Sequence, residues 1–137
     1  MSLPIPRPTQ KSQVFSRVEF DQPAQSGTAS VIIWGTSGTI SRDHRIGRVW
    51  YNNPTGFATD NSAYWVITLT DGTTTLASWS TKTTGGQGTL TANTPVELVL
   101  GTTHDLIPSK NLTLTFTATG SPASLPAGRF VVDMTAL

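Results

Sequence analysis

Leu112-Thr113-Leu114-Thr115-Phe116-Thr117-Ala118 alternates apolar residues with threonine and carries no charge. Successive side chains of an extended chain point to opposite faces. The stretch is therefore a half-buried β-strand, with Leu112, Leu114, Phe116 and Ala118 turned into a core and Thr113, Thr115 and Thr117 turned out. The same pattern recurs on both sides of it. Downstream, past the turn-rich link 119–128, Phe130, Val132 and Met134 share one face of a closing strand over 129–134. Upstream, Thr94-Pro95 opens a strand over 96–100 in which Val96, Leu98 and Leu100 alternate with Glu97 and Val99, and Gly101 ends it.

Residues 64–80 carry the clearest local signal. Two β-rich runs flank Asp71-Gly72, which predicts a two-residue hairpin, because a type I′ turn needs positive φ at both central positions. That register pairs Thr70 with Thr73, Ile67 with Leu76 and Tyr64 with Trp79. It places Trp65, Ile67, Leu69 and Leu76 on one face, with Tyr64, Val66, Ala77 and Trp79 on the other. Further upstream, Val14, Val18 and Phe20 share a face opposite Arg17 and Glu19. Ala29 to Trp34 reads as a central strand, 47–51 as a shorter one, and 52–62 as a loop carrying a lone aromatic, Phe57.

Seven or eight short strands and no helical pattern predict an all-β chain, an antiparallel β-sandwich or jelly-roll-like domain over residues 14–137. Residues 1–13 form an extended Pro-rich N-terminal arm. Pro4, Pro6 and Pro8 remove a backbone donor at every second position and favour polyproline II. Leu3 and Ile5, with Arg7 between Pro6 and Pro8, are the candidate anchors by which the arm contacts a neighbouring subunit.

The 137 residues suit one domain with a sizeable core. Only 12% are charged, against about 25% in an ordinary soluble chain. Threonine supplies about one residue in six, in keeping with its fit to a pleated sheet. The net charge of +1 comes from scattered Lys and Arg, which argues against nucleic acid as a partner. The absence of cysteine excludes a disulfide framework, a thiolate nucleophile and Cys-ligated metal. The longest apolar run is too short to span a bilayer and the N-terminus has no apolar signal region, so no membrane association and folding in a cytoplasm are expected.

No constellation for catalysis emerges. Gly35-Thr36-Ser37-Gly38 lacks the Gly-x-Ser-x-Gly spacing of a nucleophile elbow and reads as a tight turn. His44 and His104 each adjoin an aspartate, but adjacent residues of an extended chain diverge and cannot share a ligand. The expectation is no enzyme, no cofactor and no metal. Arg42, Arg45 and Arg48 recur every third residue and read as surface charges. For carbohydrate, aromatic platforms beside amides are the feature to seek. Trp34 and Trp65 lie in core-like contexts, which leaves Trp50, Tyr51 and Trp79 as sugar-binding candidates.

In its Pro-rich arm, its neutral Thr/Gly/Ala-rich strands, its lack of cysteine and its closing run from Thr117-Ala118-Thr119-Gly120-Ser121-Pro122 to Phe130-Val131-Val132-Asp133, the chain resembles the capsid decoration, or head-stabilising, proteins of tailed bacteriophages. The resemblance implies a non-enzymatic virion protein on the capsid exterior, made in the host bacterial cytoplasm. It further implies a homotrimer bound to the major capsid protein, with the N-terminal segment engaging the shell. The alternative is a carbohydrate- or receptor-binding β-sandwich module of a phage fibre.

Overall fold

The computed structural model describes residues 15–35, 43–103, 105–106 and 110–137. The N-terminal arm with Leu3, Ile5 and Arg7, the turn at Ser37, Arg42 and His104 lie outside them. The described residues form ten strands: β1 (Phe15–Gln22), β2 (Ala29–Trp34), β3 (His44–Asn52), β4 (Tyr64–Thr70), β5 (Thr75–Ser80), β6 (Val96–Glu97), β7 (Val99–Leu100), β8 (Asp105–Leu106), β9 (Leu112–Thr119) and β10 (Gly128–Ala136).

One sheet runs β1-β10-β3-β6, with β8 also on β3, and the second runs β2-β9-β4-β5-β7. All named pairings are antiparallel, and they nest: β1 with β10, β2 with β9, β3 with β6 and β8, β4 with β5. This is one long hairpin rolled into two sheets, the order of a jelly roll, and its fold-back point is the turn between β4 and β5.

Alternation fills the space between the sheets. Leu112, Leu114 and Phe116 from β9 meet Phe130, Val132 and Met134 from β10, all buried. Phe130 stacks on Tyr51 with centroids 4.2 Å apart and meets Phe116 edge-on at 5.8 Å, which ties the two sheets together. Burying one such side chain stabilises by about 1.5–3 kcal/mol relative to exposing it.

Four local readings are corrected. The β4–β5 register pairs Thr70 with Thr75, Leu69 with Ala77 and Ile67 with Trp79, so the loop has four residues, 71–74. A bulge then lets both Leu76 and Ala77 face inward, and Trp79 shares the core face of Ile67. β2 is an edge strand, in which Val31 packs against the core and Ile32 stays 47% exposed. The run 96–100 is divided, with β6 on one sheet, β7 on the other and Leu98 buried at the crossing. Finally, β3 starts at His44, because a bulge at Gly47 allows Ile46 and Val49, three residues apart, both to point inward.

Candidate binding surfaces

The two outer sheet faces differ completely in chemistry. Along β1 the outward residues are Arg17, Glu19 and Asp21, across from Asp133, Val131 and Arg129 on β10. Next in the same rows come Arg48, Trp50 and Asn52 on β3, and Glu97 on β6 lies opposite Trp50. Arg17 grips Asp133 through two hydrogen bonds of 2.7 and 3.2 Å. Arg129 reaches Glu19 at 2.5 Å and Asp21 at 3.3 Å. At the end of the sheet Arg45 holds Asp105 at 2.8 and 3.2 Å. The carboxylate partners raise the pKa of Arg17 and Arg45, first through the hydrogen bond and then through charge. Such exposed pairs contribute little to stability, about 0–1 kcal/mol each.

The strands of the other sheet, β2, β4, β5, β7 and β9, contain no charged residue. Its outward rows run Ser30, Thr115, Thr68, Ser78 and Val99, with Ile32, Thr113 and Thr70 on one side and Thr117, Val66 and Ser80 on the other. Ser30 and Thr115 share a 3.0 Å hydroxyl bond. Tyr64 borders this face, with the Lys82 ammonium 5.5 Å from its ring centroid.

Of the three sugar-binding candidates, Trp50 alone lies on an outer face. It lines a groove of about 390 Å³ with Arg17, Asn52, Pro95, Arg129 and Val131, and the Arg48 guanidinium lies 5.7 Å from its ring centroid. Tyr51 is the correction here, since it is fully buried against Phe130 and has no ring face left for a ligand. Trp79 packs inward against the core, with its Nε1 buried and without a hydrogen-bond partner. Trp65 is buried and donates from its indole to the Ala123 carbonyl at 2.8 Å. Trp34 packs at the core margin, edge-on to His44 at 4.9 Å.

Sequence reasoning missed a buried polar knot under the 53–56 turn. The Tyr51 hydroxyl donates to Gln22 Oε1 at 2.6 Å and accepts from Asn53 Nδ2 at 2.8 Å. Asn53 Nδ2 also donates to the Pro126 carbonyl, while Asn53 Oδ1 accepts from the amides of Thr55 and Gly56. Burial is the main cause that pushes the Tyr51 pKa up to about 12. The available signal was Asn53-Pro54, a turn opener two residues beyond an inward aromatic.

Among the described residues no group of His, Asp and Glu is placed to hold a metal ion. The Asp60 carboxylate accepts from the amides of Ala63 and Ser62, which lower its pKa, and so it serves its own turn. No protein-family model, curated protein or solved structure matches the chain.

Proposed function

We propose that this chain is a non-enzymatic structural protein of a tailed-phage virion that binds and stabilises the outside of the capsid. The observation that carries the reading is the segregation of charge between the two sheets: every charged strand residue belongs to the β1-β10-β3-β6 sheet and its β8 extension. Burying an ion against another protein costs several kcal/mol unless it is repaired there. Threonine and serine hydroxyls turn to donate or accept as a partner requires, and their neighbours Val66, Ile32 and Val99 add apolar area. The neutral sheet is thus the face that loses least on contact with protein, and the ion-paired sheet is the one suited to water.

In this reading the neutral sheet lies against the major capsid protein, the assembly is a homotrimer, and the arm reaches onto the shell through Leu3, Ile5 and Arg7. Repetition over a shell multiplies many modest contacts. A jelly roll serves capsid and lectin proteins alike, so the fold supports the reading by analogy only.

The test is co-sedimentation of the protein with expanded, empty capsids. Thr68→Glu and Thr115→Glu, side by side on the neutral sheet, should abolish binding while circular dichroism is unchanged, and Arg45→Ala should bind as wild type. Undiminished binding by both glutamate variants overturns the assignment of the face, and failure of the wild type to bind any phage shell overturns the function.

A further inference from the structure

We infer that the groove over Trp50, on the sheet opposite the proposed shell contact, is a binding site for a neutral saccharide. Its volume of about 390 Å³ falls within the range of about 300–1,000 Å³ usual for small-molecule sites. The register builds it. Val131 lies directly between Glu19 and Trp50, and Arg129 directly between Asp21 and Asn52, so the short Val131 side chain makes a floor between longer neighbours.

The floor and one wall, Val131 and the Trp50 ring, are apolar and suit the C–H face of a pyranose. Pro95 adds to the apolar lining, and the remaining groups, Arg17, Asn52 and Arg129, are planar and polar. The charges lining the groove already have internal partners, Arg17 in Asp133 and Arg129 in Glu19 and Asp21, so a charged ligand has to displace one of them to bind there. A ligand whose hydroxyls both donate and accept uses guanidinium and carboxylate together, and a sugar is such a ligand. Asn52 adds an amide to the lining, and its Oδ1 is buried without a hydrogen-bond partner.

The experiment needs no capsid, so it stands or falls separately from the proposed shell contact. The purified full chain is applied to an array of neutral and acidic glycans, and hits are titrated by calorimetry. Binding to one or more neutral glycans is expected, varying less than twofold when NaCl is raised from low to high concentration. Trp50→Ala should weaken it at least tenfold and Asn52→Ala about fivefold, while Thr115→Glu leaves it unchanged. Circular dichroism confirms folding, and Trp50→Phe, which keeps a ring, should retain partial affinity. The proposal is overturned if no neutral glycan binds, if only acidic glycans bind with a steep salt dependence, or if Trp50→Ala alters the sedimentation coefficient instead of glycan binding, which would give the groove to a second copy of the chain.

Discussion

The Tyr51 hydroxyl reaches over β10 to bond Gln22 on β1, and it does so across Gly128. A Cβ at Gly128 would lie 2.6 Å from Tyr51 Cε1 and 2.8 Å from its hydroxyl oxygen. The bare backbone of one glycine therefore lets two strands that are not neighbours share a buried hydrogen bond. The bond closes the end of the sandwich where the 53–56 turn and Pro126 also meet.

Tyr51→Phe keeps the stack on Phe130 but leaves Gln22 Oε1 buried without its donor, so a loss of about 1–3 kcal/mol is expected. Gly128→Ala should cost at least as much, because the methyl group also meets the Asn52 carbonyl at 2.8 Å. Urea denaturation of both variants measures this, and a Tyr51→Phe midpoint equal to wild type would show that the bond contributes nothing net.

The same phenol sets a stability window at high pH. Its pKa stands at about 12 in the folded chain against 10.0 ordinarily. Between those values the unfolded chain has lost the proton and the folded chain keeps it, so the folded state binds more protons and stability falls as pH rises. The stabilisation is fully present below pH 10 and is lost by about pH 12, with a total on the order of 2–3 kcal/mol. Tyr51→Phe should flatten this part of the denaturation profile, and an unaltered slope between pH 10 and 12 would exclude Tyr51 as its source.

At the tip of the rolled hairpin, Asp71 Oδ1 accepts from the amides of Thr73 and Thr74 at 2.9 and 2.6 Å, and among the residues of this loop Gly72 alone has positive φ, at 96°. Asp71→Ala is expected to cost about 1 kcal/mol through loss of the side-chain turn. Gly72→Val should cost roughly 1–2 kcal/mol from φ alone, because open space surrounds the position. Thermal unfolding of the two variants tests this, and a Gly72→Val midpoint matching wild type would contradict the backbone argument.

This tip also marks where sequence reading stops. Asp71-Gly72 announces a turn, but the three threonines that follow are interchangeable in register, so a two-residue and a four-residue loop fit the pattern equally well. The bulge that brings Leu76 and Ala77 inward together then reverses the expected face of Trp79. At Gly47 another bulge breaks the alternation of β3, and with Trp50 beside Tyr51 either aromatic could have been the inward one. Strands with unbroken alternation, β9 and β10, were legible down to each buried side chain. Charge segregation was not, because it depends on which sheet each strand joins, and that is decided by pairings between residues as far apart in the chain as Phe15 and Thr135.

If the neutral sheet is the shell contact, as proposed, its lack of charge has a consequence for salt. Raising NaCl from about 0.05 to about 0.5 M shortens the Debye length severalfold and weakens exposed charge pairs, while burial of methyl groups and hydroxyl hydrogen bonds is hardly affected. Attachment to capsids through the neutral sheet should therefore change less than about twofold over that range, measured as shell occupancy by co-sedimentation. The pairs Arg17–Asp133 and Arg129–Glu19 lie on the opposite sheet and supply an internal contrast. If the ion-paired sheet were the contact, its arginines and carboxylates would exchange internal partners for partners on the shell, and occupancy would fall by tenfold or more. A steep fall, coupled to sensitivity of binding to Arg17→Ala, would move the shell contact from the threonine face to the charged one.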